Sequence, residues 1–511
     1  MAELDRGVPV GIVGAGTMGA GIAQVAAVAG HPVRIHDSIP GMADEAIGAI
    51  RKRLARLTEK DRIEARVALD AGDRLSVAAS IFELRGCGLI IEAVVEDIAA
   101  KRELFAMLEA ICGPDAILAS NTSSLSITDI AAELQHPERV AGMHFFNPAP
   151  LLPLVEIVSG KATDPGVADA LAGAAAAWGK TPVKCTSTPG FIVNRVARPF
   201  YAEAFRLLGA GFIDPATLDA LARESGGFRM GPCELTDLIG QDVNAAVTRS
   251  VWEAFNRDPR FEPSELQDSM VRAGRLGQKS GRGFYDGTFR PDPATTGGCP
   301  HPQRVTVNGQ GGPLEALVAR LDQAGVAVRR TRDAGPLRLR PAEGVAVRLT
   351  NGLTAAQVTA EAGEPTFLVD LAHDFGSAAR LALSAPAGAP APALEAAVGC
   401  LQSTGAKVTV VADTPGMVVA RMVSMLAAFG AEAVQAGVAT AADVDTAMRL
   451  GVNYPSGPIE WGESLGWSWV AGVLEALVSA EDALRYRVPE AIASAVVRER
   501  ELPPAATASH A

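Results

Sequence analysis

The chain has 511 residues, 48% hydrophobic and 20% charged, with a formal net charge of −12 and a pI near 5.2. That length exceeds one core and suggests about three or four domains, and the acidic balance argues against nucleic acid as a partner. No apolar run approaches the ~18 residues of a membrane span, and the opening MAELDRGVPV lacks a signal sequence, which leaves the cytosol as the default. The six cysteines (Cys87, Cys112, Cys185, Cys233, Cys299, Cys400) are scattered without CxxC spacing. They read as free thiols rather than metal ligands or disulfides, so no metal is expected.

Val10 to Asp37 reads VGIVGAGTMGAGIAQVAAVAGHPVRIHD: strand, glycine turn, helix, strand, carboxylate. Gly14 allows the tight turn, Gly16 a close approach of backbone to a pyrophosphate, and Gly19 close packing of helix on strand. Thr17 and Met18 open the helix, where free N–H groups face phosphates. Asp37, 18 residues beyond Gly19, is placed to accept hydrogen bonds from the adenosine ribose and to repel a 2′-phosphate. The cofactor expected is NAD.

A polar helix follows over about 41–60, with a basic cluster of Arg51, Lys52, Arg53, Arg56 and Lys60. It reads either as a solvated face or as a contact for a phosphate-bearing substrate. Leu89 to Val95 is a strand that ends at Glu96 and leads into a helix beginning near Lys101. Ala116 to Ser120 is another strand, running into Asn121-Thr122-Ser123-Ser124. Val140 to Phe145 ends in His144-Phe145-Phe146-Asn147-Pro148, and Leu154 to Val158 carries Glu156 at its centre. Alternating strands and helices imply an α/β fold with a doubly wound, mostly parallel sheet, whose ligands sit outside the strands' carboxyl ends. The polar turns at Asn121 and His144 therefore fall on the cofactor side.

His144, at a strand end beside that site, suits the base that takes a hydroxyl proton while hydride leaves. The base needs a partner to fix its tautomer and offset its charge. Glu156, within an apolar strand and costly there unless paired, is the candidate. A purely structural salt bridge is the competing reading. Ser123 and Asn194 are candidates to hydrogen-bond the reacting oxygen.

From Thr188 the pattern turns to longer helices, and residues 188–241 align without gaps to 414–467. TPGFIVNR matches TPGMVVAR, and GPCE matches GPIE, so two copies of one helical domain are expected. Tyr285 to Pro302 reads as a linker. Residues 303–412 resemble a decayed dinucleotide fold, in which Leu314 replaces the third glycine and Arg332 the acid, so no NAD is expected there. Residues 384–394 read as a flexible loop, and the last dozen residues as disordered. The domains expected are 1–187 (NAD-binding Rossmann), 188–288 (helical), 303–412 (reduced Rossmann-like) and 413–490 (helical repeat).

GAGTMGAGIA, EAVVEDIAAK, ASNTSSLSI, HFFNP with LVEIV, TPGFIVNR and MGPCEL together resemble the 3-hydroxyacyl-CoA dehydrogenases. The resemblance implies His144 as catalytic base, Glu156 as its partner, and Ser123 and Asn194 as holders of the substrate C3 oxygen. Asn147 lines the same site, Asp37 binds the ribose, and Glu96, Lys101 and Asn121 lie near the cofactor. The basic helix is similar to the segment that meets coenzyme A. Lys60 falls on a CoA-contacting position, and Arg53 stands where some relatives have serine.

The longer architecture resembles the 3-hydroxybutyryl-CoA and 3-hydroxyadipyl-CoA type of bacterial aromatic and phenylacetate breakdown. Asn194 becomes Ala420 in the second copy, which implies one active site per chain, with the second copy standing in for a dimer partner. Association of two chains into a homodimer on top of that pairing stays open. Two rivals remain from the residues: a gulonate-type dehydrogenase of a small sugar acid sharing HFFNP, and an inactive NAD-binding scaffold.

Overall fold

The computed structural model describes residues 5–333 and 335–501. It divides into two compact units, one of residues 1–195 with 433–452, the other of 196–432 with 453–511. Among the described residues no helix is long and apolar enough to cross a membrane.

The first unit is built on strands β1 (Val10–Val13), β2 (Val33–His36), β3 (Leu75–Val77), β4 (Leu89–Glu92), β5 (Ile117–Ser120), β6 (Val140–Phe145), β7 (Leu154–Ser159) and β8 (Thr181–Thr186). Their order in the sheet is β3-β2-β1-β4-β5-β6-β7-β8. The first six are parallel; β7 runs antiparallel to β6, and β8 parallel to β7. The strand order reverses between β1 and β4, the point where such sheets open a ligand crevice. β1, β4 and β5 are buried along their whole length, as strands covered on both faces must be. One face packs under the helices Thr17–Ala29, Met42–Glu59, Ala65–Asp73 and Pro165–Ala177. The helix Ala441–Gly451, from the second helical copy, packs on β7 and β8 in this same unit, where Thr186 N donates to Val438 O at 2.9 Å.

The second unit holds β9 (Arg304–Asn308), β10 (Ala327–Arg330), β11 (Arg338–Ala342), β12 (Val345–Leu349), β13 (Thr366–Val369), β14 (Arg380–Ser384) and β15 (Lys407–Val411). Their order is β10-β9-β11-β12-β13-β14-β15, a mixed sheet in which β11 is antiparallel to both neighbours. The repeat is literal in the helices. Pro232–Ile239 and Gln241–Ala254 recur as Pro458–Leu465 and Trp467–Ala480, each pair hinged on a glycine of positive φ, Gly240 and Gly466. A buried ion pair fastens the copies together in this unit: Arg421 Nε donates to Glu203 Oε2 at 2.7 Å, and Tyr486 OH donates to the same oxygen at 2.9 Å.

Two sequence expectations change. The segment 285–302 forms no regular element, yet it is strapped to the edge of the second sheet: Thr296 N donates to Val408 O at 2.8 Å, and Arg380 Nη1 donates to Ala294 O at 3.0 Å. Covering the free edge of β15 in this way removes a template for aberrant pairing. The supposed loop 384–394 ends early, because Ala391 already begins the helix Ala391–Gln402. The last dozen residues fall almost wholly outside the described residues; within them, 500 and 501 finish the helix Glu490–Glu501.

Candidate active site

The glycine turn follows β1 and faces the crevice. Gly14 has φ 101°, and a Cβ there would stand 2.5 Å from Ala93 O. A Cβ at Gly19 would meet Gly14 O at 1.8 Å, so the helix Thr17–Ala29 sits as close to the strand as glycine permits. At Gly16 a Cβ would meet nothing within 4 Å. The space beside Gly16 is open, and the exposed start of a helix there suits a pyrophosphate. Asp37 closes the turn: its Oδ2 accepts Ala15 N at 2.7 Å and its Oδ1 accepts Ile39 N at 2.9 Å. A carboxylate has lone pairs left after those two bonds, and ribose hydroxyls are fit partners for them. The residues present fit NAD.

The antiparallel pairing of β6 and β7 sets His144 directly opposite Glu156. His144 Nδ1 lies 2.7 Å from Glu156 Oε2, and both side chains are buried. The other carboxylate oxygen accepts Ile192 N and Val193 N, each at 3.0 Å, at the start of the helix Val193–Val196. Glu156 therefore has its charge held on three sides. Its demand for a donor places the proton on Nδ1 of His144 and leaves Nε2 as the acceptor. Phe146 and Phe191 wall the imidazole, with ring centroids 4.4 and 5.9 Å away. Phe191 takes φ 48°, a conformation unusual for a bulky residue, just after Gly190.

A second acid organises the turn after β5. Glu96 Oε1 accepts Thr122 Oγ1 at 2.7 Å, Ser123 N at 3.0 Å and Ser124 Oγ at 3.0 Å. Burial opposes ionisation of Glu96, but the Thr122 hydroxyl, the Lys101 charge and the loop amides outweigh it and hold its carboxyl below the usual range. Ser123 also donates its hydroxyl to Glu96 at 3.3 Å, and its carbonyl accepts Asn194 Nδ2 at 3.2 Å. Asn121 Oδ1 accepts Phe145 N at 2.8 Å, tying this turn to the strand that carries His144. Ser123 is thus bonded to Asn194, His144 to Glu156, and Asn121 to the backbone next to His144, and Asn147 follows β6.

Lys101 sits differently from its neighbours. It is 1% exposed, with Nζ 2.6 Å from the fully buried Glu92, whose other oxygen accepts Ser120 Oγ at 2.6 Å. Of the basic cluster, Arg51 donates to Gly72 O at 3.0 Å and Arg53 to Gln24 Oε1 at 2.8 Å, both within their own unit. Lys60 caps the helix Met42–Glu59, its N–H donating to Thr58 O, and its exposed side chain has no partner among the described residues.

Sequence reasoning missed Glu92, Phe191 and the amide grip on Glu156. Glu92 had a visible signal, an acid ending the apolar run LIIE nine residues before a lysine. The others come from segments far apart in the chain.

Three family profiles match four stretches. The 3-hydroxyacyl-CoA dehydrogenase NAD binding domain matches residues 9–188, and the C-terminal domain of that family matches 190–287 and again 416–507. The 3-hydroxybutyryl-CoA dehydrogenase reduced Rossmann-fold domain matches 347–415. The chain is 43% identical over 479 residues to the 3-hydroxyadipyl-CoA dehydrogenase of Escherichia coli, covering 94% of this chain and 95% of that protein. It is 41% identical over 275 residues to a probable 3-hydroxybutyryl-CoA dehydrogenase of Bacillus subtilis, covering 54% of this chain and 96% of the relative. A crystal structure of 3-hydroxybutyryl-CoA dehydrogenase from Escherichia coli superposes with a TM-score of 0.89 at 40% identity, over 98% of this chain and all of the other.

Proposed function

Because the chain belongs to the 3-hydroxyacyl-CoA dehydrogenase family, we propose that it oxidises the C3 hydroxyl of an (S)-3-hydroxyacyl-CoA to the 3-oxoacyl-CoA. The observation that carries the reading is the buried His144–Glu156 pair at 2.7 Å, set in the same sheet as the glycine turn. NAD, when bound, supplies the hydride acceptor. His144 takes the hydroxyl proton at Nε2, while its Nδ1–H stays on Glu156, whose charge offsets the imidazolium that forms. Ser123 and Asn194 orient the C3 oxygen and stabilise its negative charge in the reductive direction. Gly14, Gly16, Thr17, Met18, Gly19 and Asp37 form the cofactor cradle, with Asn121 and Glu96 holding its neighbouring turn. Lys101 acts through Glu92 and Glu96 rather than by contact. Asn147 borders the acyl group, and Lys60 with Arg53 marks the coenzyme A side.

The chain works as four domains, 1–187, 188–288, 303–412 and 413–490, with a single reaction centre per chain. The site of action is the cytosol. Steady-state assay tests the reading: the enzyme reduces acetoacetyl-CoA with NADH and leaves a free sugar acid such as gulonate untouched with NAD. Turnover of the sugar acid alone overturns it.

A further inference from the structure

The helix Ala441–Gly451 comes from the second helical copy, yet it belongs to the compact unit that holds the dyad. Successive residues of a strand face opposite sides of the sheet. On β7, Val155 and Ile157 face the core that includes the helix Pro165–Ala177, so Leu154, Glu156 and Val158 face the other way. Gly451 sits on that second face. A Cβ there would stand 2.7 Å from Leu154 Cδ2 and 3.1 Å from Val193 Cγ2. Leu154 and Val193 are both buried, and a β-branched valine has little freedom to turn aside. Gly451 also ends its helix without the left-handed backbone that commonly calls for glycine at such a place. What calls for glycine here is the lack of room.

Both neighbours of Gly451 lead to Glu156. Leu154 lies two residues before it on the same face of β7, and Val193 N donates to Glu156 Oε1 at 3.0 Å. The other carboxylate oxygen lies 2.7 Å from His144 Nδ1. The helix thus reaches the imidazole through two packed side chains and one carboxylate. Interiors packed this closely pass a displacement on rather than absorb it.

The second sheet makes the same junction with different chemistry. At the offset of the repeat, Leu154 matches Arg380, Leu450 matches Glu224 and Gly451 matches Ser225. Arg380 Nε donates to Glu224 Oε2 at 3.1 Å, Glu224 O accepts Ala379 N at 3.1 Å, and Ser225 O accepts His373 N at 2.8 Å. Where the dyad is missing, an ion pair and main-chain bonds fasten helix to sheet. Where the dyad is present, the matching positions are leucine, leucine and glycine. An arginine at 154, on the face of Glu156, would compete with His144 for that carboxylate; a leucine seated on glycine holds the strand without doing so.

We propose that the helix Ala441–Gly451 is a positioning element of the reaction centre: seated through Gly451 on Leu154 and Val193, it fixes the strand and the amide that hold Glu156 on His144. The second copy, which lacks a dyad of its own, thereby serves the chemistry of the first. The proposal rests on the dehydrogenase reading above and adds Gly451 to it as a positioning residue.

The test is steady-state reduction of acetoacetyl-CoA with NADH by full-length variants. Gly451→Val lowers kcat about tenfold, the effect of a displacement of well under 1 Å at a reacting group, while the KM of each substrate stays within about twofold. Adding Leu154→Val removes the methyl in the way and raises kcat again by about threefold or more. Glu224→Gln, which breaks the ion pair of the second sheet, lowers the thermal midpoint and leaves kcat unchanged. A folded Gly451→Val with wild-type kcat overturns the proposal, as does a loss shared equally between kcat and both KM values. A double variant no faster than Gly451→Val, or a Glu224→Gln that slows the reaction as much, overturns it too. Should Gly451→Val not fold, Gly451→Ala decides by the same split, with an expected loss of about threefold. A wild type that does not reduce acetoacetyl-CoA overturns the dehydrogenase reading and this proposal with it.

Discussion

The two sheets of this chain keep the same arrangement at their last three strands and differ at one pair of residues. In the first, β7 sets Glu156 beside Val183 of β8 and opposite His144 of β6. In the second, β14 sets Ala382 beside Thr409 of β15, the residue that matches Val183 in the repeat. The register of β13 places Val369 opposite Leu383, and Asp370 N donates to Ala382 O at 3.0 Å. The position of His144 is thus held by Asp370, and that of Glu156 by alanine. Asp370 still grips the following helix, accepting Val418 N at 3.0 Å, Val419 N at 2.7 Å and Ala420 N at 3.0 Å. Phe191 and Met417, which match in the repeat, both keep a positive φ. What survives in the second copy is the cap on a helix; what is gone is the imidazole and its counter-charge. Glu156 therefore has two duties in the first copy, and the second copy shows one of them separated from the other.

That comparison can be broken in four ways. His144→Ala lowers kcat/KM for acetoacetyl-CoA reduction by about 10²–10⁴-fold, the usual worth of a positioned acid–base group. If activity is unchanged, the dyad is structural in both sheets and the proposed chemistry fails. Glu156→Gln keeps a carbonyl for the helix amides but loses the charge on His144, and kcat drops by about 10²-fold. A variant that loses thermal stability yet keeps its kcat would mean that capping is the only duty of Glu156. Calorimetric titration with NADH gives one site per chain, and Gly16→Val raises its dissociation constant about tenfold or more; a second site of similar affinity would restore cofactor binding to the reduced domain.

The smallest effect concerns Asp370. Burial raises its carboxyl to about 6, against four backbone amides that favour the charged form. A raised value means the native state holds a proton that the unfolded chain releases near 3.8. This contribution to stability is therefore complete below that value and is lost as pH rises through about 6. The stability of the wild type relative to Asp370→Asn should fall by up to about 3 kcal/mol between pH 4 and pH 7, read from thermal midpoints at the two values. A difference that is flat with pH contradicts the protonated native form.

Much of the first sheet was legible because its signals are local. The glycines at 14, 16 and 19, the acid at 37 and the histidine at 144 each lie within a few residues of the strand end that positions them. Glu156 was legible as a charge that an apolar strand cannot hold alone. The Lys101–Glu92 pair was not, since a lysine near a cofactor turn and a lysine sealed beneath it look alike in one dimension. The strap at 285–302 has the composition of a free linker, and only the pairing of Thr296 with β15 reveals its role.

The Arg421–Glu203 contact joins two halves that are covalently one polypeptide. In a pair of separate chains such a contact would compete with diffusion and fade on dilution. Here the tether fixes the local concentration of one copy around the other, so the association is first order and independent of how much protein the cell makes. Duplication also released the second copy from mirroring the first, so that Ala420 stands where the first copy has Asn194 with no matching change across a symmetry axis.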